Sequence, residues 1–135
     1  GYTDVKYTRF LADITGDGVM TDNTHLTPPN VPKHTFGLTA QHTHDLDPGF
    51  LRSSLKYRYR DKLVTDYGND PRLQQDAAHY VGARIEYLNY DYTVAVYGDN
   101  LTNEREQTWS QIPRIGANGL WNEGRTIGLD VGYSF

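Results

Sequence analysis

The strict alternation of apolar and polar side chains at the end of the chain constrains the fold more than any other feature. Side chains of a strand point to opposite faces in turn, so this pattern predicts one continuously apolar face and one small, polar face. A final strand of this kind, closing on an aromatic residue, is typical of barrels with lipid outside and a polar lumen inside. The apolar positions are Ile127, Leu129, Val131, Tyr133 and Phe135.

The composition narrows the possible classes of protein. Only 37% of the 135 residues are hydrophobic, and no segment approaches the run of about 20 apolar residues that a membrane helix needs. Residence in a membrane would therefore require a barrel, in which only alternate residues need be apolar. The net charge of −4 excludes a basic footprint for nucleic acid, and the absence of cysteine excludes disulfides and Cys-ligated zinc.

Alternation elsewhere predicts an all-β fold of antiparallel strands. Charged residues within 51–60, 81–87 and 126–134 all fall on the polar parity, which fixes the register of these strands. Short turns at 45–49 and 88–91 alternate with long connections at 11–33, 64–79 and 102–124, as in outer-membrane barrels with short periplasmic turns and long extracellular loops. The predicted strands lie near 2–8, 34–44, 50–63, 80–88, 91–100 and 125–135.

Aromatic residues gather near the short-turn end of these strands, which predicts a girdle at a bilayer interface. His42 and His44 share a face there by parity, and we interpret them as part of the girdle rather than as a metal pair. The girdle positions are Phe50, Tyr87, Tyr90, Tyr92, Tyr133 and Phe135.

Several segments together resemble the C-terminal barrel portion of TonB-dependent receptors, the plugged outer-membrane active transporters. The resemblance covers almost all of 1–135 and is carried by 1–7, 29–36, 57–61, Asp99-Asn-Leu-Thr-Asn103 and the closing 124–135. It implies the last five or six strands of a transmembrane barrel of about 22. The chain opens at Gly1 in a strand-like segment, so we expect a fragment or one piece of a divided receptor.

The resemblance also implies a function and partners. Such receptors reside in the bacterial outer membrane and import scarce nutrients, most often iron-siderophore complexes, with energy from the inner-membrane TonB complex acting on the plug. The implied partners are the remaining strands and plug, TonB, the barrel assembly machinery, outer-membrane lipid and a small-molecule nutrient. Tyr133 and Phe135 are similar to the signal that the assembly machinery recognises. Neither a cofactor nor enzymatic activity is implied.

Two sets of residues are candidates for contact with a ligand or a plug. A largely basic row should line the lumen, where it would attract an anion or be neutralised by acids such as Asp4 on neighbouring strands. Exposed aromatic and basic residues of the long loops would capture a ligand or pack on adjacent loops. The row comprises Arg52, Lys56, Arg58, Arg60, Arg84, Glu86 and Asp130, and the loop candidates are Trp109, Arg114, Trp121, Tyr67 and Arg72.

Three other possibilities follow from single motifs. The segment 13–24 begins like a calcium loop, but Thr24 stands where a bidentate Glu is needed, so bound calcium stays open. No His is placed beside Ser53 or Ser54, and we assign no catalytic residue. The alternative functions are a passive porin or structural outer-membrane barrel, and a soluble β-sandwich binding module whose apolar face packs on a second sheet.

Overall fold

The computed structural model describes residues 1–111 and 118–134, and for 108–111 and 118 it describes the backbone alone. The fold is all-β, as the alternation predicts, with one short 3₁₀ helix at Pro71–Leu73 and no α-helix in the described residues. The strands are β1 (Leu11–Ala12), β2 (Thr21–Asp22), β3 (Thr35–Asp45), β4 (Phe50–Arg60), β5 (Leu63–Val64), β6 (Gln74–Gln75), β7 (Ala78–Leu88), β8 (Tyr92–Asp99), β9 (Gln107–Gln111), β10 (Asn118–Trp121) and β11 (Thr126–Tyr133).

The chain divides into two compact units. One unit comprises Gly1–Thr35, Arg60–Ala78 and Glu106–Asn122, and the other comprises Phe36–Tyr59, His79–Arg105 and Glu123–Phe135. We call the first the loop unit, because it is built from the long connections, and the second the sheet unit.

The sheet unit contains one sheet of five strands in the order β11-β8-β7-β4-β3. Tight turns join β3 to β4 and β7 to β8, where Leu46 N donates to Gly49 O and Asn89 N donates to Tyr92 O, each over 2.9 Å. Both turns lie where Pro, Gly, Asn and Asp predict them. The β8–β11 ladder is antiparallel and unbroken from Thr126, opposite Asp99, to Tyr133, opposite Tyr92.

The Asp99–Asn103 segment links the end of β8 to neighbouring strands through hydrogen bonds. Asn100 has a φ of 49° and Asn103 a φ of 59°, a left-handed conformation that Asn tolerates better than most residues. The Asn100 amide donates to Glu104 O (2.9 Å) and to Glu123 O (3.1 Å) and accepts from Glu104 N (2.9 Å). Leu101 N also donates to Val81 O. The segment therefore fastens the end of β8 to the starts of its neighbours.

The loop unit contains three two-stranded ladders, β1–β2, β5–β6 and β9–β10, all antiparallel. Asn23 is buried there, and its amide donates to Ala12 O and to Thr21 O, each over 3.0 Å. Asn69 links two connections, since its amide donates to Thr27 O and accepts from Thr27 N. Side-chain hydrogen bonds thus hold these connections with little apolar burial.

The structure corrects three of the sequence predictions. The predicted strand 2–8 is wrong, because only Tyr2 pairs, in an isolated bridge with His34. Its alternation was carried by Val5 and Tyr7 alone, too few to fix a ladder. The strand predicted at 50–63 is too long, because β4 ends at Arg60. Leu63 pairs instead with Gln75 in the separate β5–β6 ladder. The segment 102–124 contains the β9–β10 hairpin rather than an irregular loop alone.

Candidate functional site

One face of the sheet is a continuous, exposed apolar surface. Leu129 lies opposite Val96, and Val96 lies opposite Ile85, so apolar side chains align across β11, β8 and β7. Leu129 is 64% exposed and Val131 is 70% exposed, far from the burial of a protein core. No described side chain therefore covers this face as a second sheet would. The exposed members are Phe36, Leu38, Leu55, Ile85, Val94, Val96, Ile127, Leu129, Val131 and Tyr133.

Aromatic side chains lie at the short-turn end of this apolar face. The rings of Tyr92 and Tyr133 lie 5.2 Å apart between centroids, and the Tyr87 hydroxyl donates to Pro48 O. Phe50 does not belong to this group, because it shares the parity of Arg52 and its ring lies under the Arg52 guanidinium at 5.3 Å. Phe135 lies outside the described residues.

The opposite, polar face carries a chain of four alternating charges. Arg52 Nη1 lies 3.0 Å from Glu86 Oε1, Arg84 Nε lies 3.0 Å from Glu86 Oε2, and Arg84 Nη1 lies 2.6 Å from Asp130 Oδ2. The Glu86 side chain is only 12% exposed and binds both arginines. These four charges neutralise one another, and the chain crosses the sheet from β4 to β11. A hollow of about 260 Å³ lies beside Arg84 and Asp130.

Two further cations of the polar face have no acidic partner in ion-pair contact among the described residues. Lys56 is exposed, and Arg58 places its guanidinium 4.2 Å from the Tyr80 ring centroid. Asp4, expected to neutralise the row, pairs instead with Lys6 at 3.5 Å. The face therefore combines a neutral chain of charges with a net positive segment.

Arg60, the remaining residue of the predicted row, belongs to the loop unit rather than to the polar face. Its guanidinium donates twice to Glu106 and also to Asp61 O (2.7 Å), Asp76 O (3.0 Å) and Gln75 Oε1 (3.4 Å). The side chains of Arg60 and Glu106 are 15% and 19% exposed. All three guanidinium nitrogens of Arg60 thus donate to loop segments, which leaves little capacity for a ligand.

The loop candidates do not form a common site in the described residues. Tyr67 is 65% exposed and contacts Phe10, with 6.5 Å between ring centroids, and Trp121 is 59% exposed. Of Trp109 only the backbone is described, paired with Leu120, and Arg114 lies outside the described residues.

Arg72 is already engaged by an acid. Its Nε and Nη2 atoms lie 3.0 and 2.7 Å from the two oxygens of Asp70. These side-chain hydrogen bonds, with one from Arg72 N, hold the pKa of Asp70 at about 2, below its usual 3.8. Asp70 is the N-cap of the short 3₁₀ helix, and Arg72 is bound to it within the same turn.

The calcium-like segment uses its acids to stabilise its own turns. Asp13 accepts from the backbone N atoms of Gly18 (2.7 Å), Gly16 (2.7 Å) and Asp17 (3.2 Å), and the bond from Gly18 contributes most to lowering its pKa. No group of three or more His, Cys, Asp or Glu side chains in the described part of the chain is placed to hold a metal ion. His42 and His44 lie on β3, whose residues are all exposed.

A hydrogen-bonded aromatic pair on the apolar face is absent from the sequence predictions. Tyr57 Oη and His79 Nδ1 lie 2.8 Å apart, with Phe36 and Tyr59 as ring neighbours at 6.1 Å from Tyr57 and 5.0 Å from His79. The predicted strand begins at 80, although extending its parity by one residue places His79 on the apolar side. The Arg60–Glu106 pair, 46 residues apart, leaves no local signal.

Comparison with known proteins gives one informative result. No protein-family model matches the chain, and neither does any curated protein. Among solved structures, the chain is similar to the ferric yersiniabactin uptake receptor FyuA from Yersinia pestis, with a TM-score of 0.69 and 24% identity. The match covers 76% of this chain and 16% of that chain. At this identity the likeness shows the fold alone, in agreement with the all-β, antiparallel architecture of the sheet.

The described residues contain no helix that is long and apolar enough to cross a membrane.

Proposed function

We propose that the chain, 1–135, forms part of the barrel wall of an outer-membrane TonB-dependent receptor that imports a scarce nutrient, such as an iron-siderophore complex. The proposal rests mainly on one observation, a sheet with one exposed apolar face and one charged face. A single sheet with one exposed apolar face is not stable in water alone, because its apolar side chains would stay hydrated. Between lipid and a water-filled lumen, both faces meet a suitable solvent.

The two open edges of the sheet support the same proposal. β3 and β11 each have one neighbour within the sheet, and long strands with free edges invite pairing with further strands. Closure into a barrel removes both edges. The remaining strands and a plug would come from polypeptide beyond 1–135, in the same chain or a separate one.

The fold likeness to a ferric yersiniabactin uptake receptor supports a receptor over a generic barrel. On this proposal, the ion-paired row of Arg52, Glu86, Arg84 and Asp130 lines the lumen, and Tyr87, Tyr92 and Tyr133 form the periplasmic girdle. The barrel assembly machinery would insert the wall, and TonB would act on the plug. We propose no catalytic role for any residue of the chain.

An uptake assay tests the proposal. The full-length protein that contains this chain is expressed in Gram-negative cells lacking their own siderophore receptors, with TonB intact or deleted. We expect accumulation of one labelled iron chelate from a panel, dependent on both the protein and TonB. Accumulation that persists without TonB would point to a passive porin. Purification of the chain as a folded monomer without detergent would point to a soluble binding module.

A further inference from the structure

The loop unit contains a hollow of about 240 Å³, which we call the loop hollow. Its lining comes from residues 27–33 and 61–76, all of which belong to this unit. The β5–β6 ladder forms part of the wall, with Leu63 opposite Gln75 and Val64 opposite Gln74. Sites for drug-sized ligands usually measure roughly 300–1,000 Å³, so the loop hollow suits one small ring.

Hydrogen bonds join the two segments that line the loop hollow. Asn30 N donates to Val64 O over 2.8 Å. Thr27 N donates to Asn69 Oδ1 over 2.8 Å, and Asn69 Nδ2 donates back to Thr27 O over 2.9 Å. The walls are therefore fixed before any ligand arrives, which lowers the entropic cost of binding.

One part of the lining is apolar. Val31, Leu63 and Val64 are each half-buried and border the hollow. A ligand with an apolar face would remove their remaining surface from water, which favours binding. A wholly apolar ligand is disfavoured, because it would also take the polar groups of the lining out of water without giving them hydrogen bonds. The ligand therefore needs an apolar face and polar edges.

The charged part of the lining is neutral overall. It consists of two lysines and two aspartates, so its net charge is about zero at neutral pH: Lys33, Lys62, Asp61 and Asp76. Asp61 already binds His34, with 3.1 Å between Oδ2 and Nδ1. The other three have no ion-pair contact among the described residues, and they are exposed. Ammonium groups donate hydrogen bonds and a carboxylate accepts them, so an uncharged ligand that both accepts and donates would satisfy all three.

We propose that the loop hollow binds one neutral pyranose ring of a carbohydrate. The C–H face of the ring lies on Val31 and Val64, its hydroxyl groups donate to Asp76, and its oxygens accept from Lys33 and Lys62. Both a soluble oligosaccharide and a cell-surface polysaccharide present such a ring. The inference goes beyond the proposed function and does not depend on it, because every lining residue belongs to the loop unit.

Saturation-transfer NMR with small glycosides tests the inference. The full-length protein is kept in an amine-oxide detergent, which has no sugar headgroup. The probes are methyl β-glucoside, methyl β-galactoside and methyl α-mannoside, and tetrahydropyran-2-methanol is the counterpart that lacks ring hydroxyl groups. We expect saturable binding of at least one glycoside and none of the counterpart.

Competition distinguishes the two sources of the ring. Displacement of the bound glycoside by the polysaccharide of purified lipopolysaccharide would identify a cell-surface ligand. Displacement only by a soluble trisaccharide of the same sugar would identify a dissolved one. Either result supports the inference, and displacement by neither would contradict it.

Two variants test the assignment to the loop hollow. Asp76→Asn should weaken glycoside binding about 10-fold, since a charge-assisted contact is lost. Asp4→Asn, at the exposed Asp4–Lys6 pair of the same unit, is the matched control and should bind normally. Val64→Phe fills the hollow, keeps every polar group and suits a strand, so it should lose binding. Native amide exchange at Asn30, whose N donates to Val64 O, shows that this variant folds.

The inference fails if no glycoside binds, if the counterpart binds equally, or if Asp76→Asn or folded Val64→Phe binds fully. These outcomes leave the proposed function intact, because that proposal fails separately, through TonB-independent uptake or folding without detergent.

Discussion

Arg84 and Asp130 form an ion pair, with 2.6 Å between Nη1 and Oδ2, although β8 runs between their strands. Tyr97 of β8 lies opposite both Arg84 and Gly128, and Arg84 lies over its ring at 5.8 Å. The ring occupies the space that a side chain at Gly128 would take, since a Cβ there would lie 2.3 Å from Tyr97 Cζ. Because residue 128 is glycine, the Tyr97 ring of β8 has room to lie between Arg84 of β7 and the backbone of β11.

Replacement of this glycine should destabilise the sheet. In Gly128→Ala the new methyl displaces the Tyr97 ring from β11 and disturbs the Arg84–Asp130 pair, at a cost of about 1–3 kcal/mol. The measurement is the free energy of unfolding in urea from detergent micelles. Gly132→Ala is the control on the same strand, because its Cβ would meet only Thr93 Cβ at an ordinary 3.7 Å. Equal stability of the two variants would contradict this packing.

The Asn100 side chain should be needed at the end of β8. Asn100→Ala removes hydrogen bonds to Glu104 and Glu123 and strains a residue with a φ of 49°, so we expect a loss of roughly 1–3 kcal/mol. Asn100→Gly relieves the backbone strain but does not restore the hydrogen bonds. Its stability should therefore lie between those of the native protein and Asn100→Ala. Urea unfolding of the three proteins measures the order. A glycine variant as stable as the native protein would show that the amide contributes nothing.

Arg60 should hold the β9–β10 hairpin to the rest of the loop unit. In Arg60→Gln the Glu106 carboxylate loses its partner, and the backbone bond from Asn122 N to Glu106 O should open more often. We expect amide hydrogen exchange at Asn122 to accelerate about 10-fold. Arg9→Gln, at an exposed arginine of the same unit, is the control. Unchanged exchange in Arg60→Gln would contradict the role of the pair.

Asp70 should give the loop unit a pH dependence at strongly acid pH. Its pKa in the fold is about 2, lowered by hydrogen bonds from Arg72, against 3.8 ordinarily. A lowered pKa means that the contribution to stability is complete above about 3.8 and is lost as pH falls through about 2. Carboxyl NMR titration of Asp70 measures this. Arg72→Gln should return the pKa toward 3.8, and an unchanged titration would contradict the contact.

The sequence predicts the sheet well because period-two alternation is local. Strand parity places Ile85, Val96 and Leu129 on one face and Arg84 with Asp130 on the other, and the ladders have this register. The loop unit is less predictable, because contacts such as Arg60 with Glu106 join distant segments that carry no periodic signal. From the sequence, Arg72 is a candidate either for ligand contact or for packing on adjacent loops, and only the structure reveals that Asp70, two residues away, binds it.

The hollow of about 540 Å³ that Gly37 and Gly82 help to line is intermediate between these two cases in how far the sequence predicts it. Alternation places Lys56 and Arg58 on the polar face but does not show that Glu86 and Asp130 neutralise their neighbours and leave these two cations without an acid. That distinction needs side-chain distances. Gly37 and Gly82 are visible in the sequence, but their meeting in one hollow depends on the order of β3, β4 and β7 in the sheet.

Cysteine labelling at two adjacent residues of β4 tests the central claim most directly. Residues 1–135 contain no cysteine, so Ser54→Cys and Leu55→Cys each add one thiol to this chain, on opposite faces of β4. Any cysteine elsewhere in the full-length protein is first replaced by serine. After reconstitution of the full-length protein in lipid vesicles, each thiol is labelled with a small fluorophore. We expect quenching by brominated lipid at position 55 only, and quenching by aqueous iodide at position 54 only. Position 55 protected from both quenchers, or open to iodide, would contradict a wall between lipid and water.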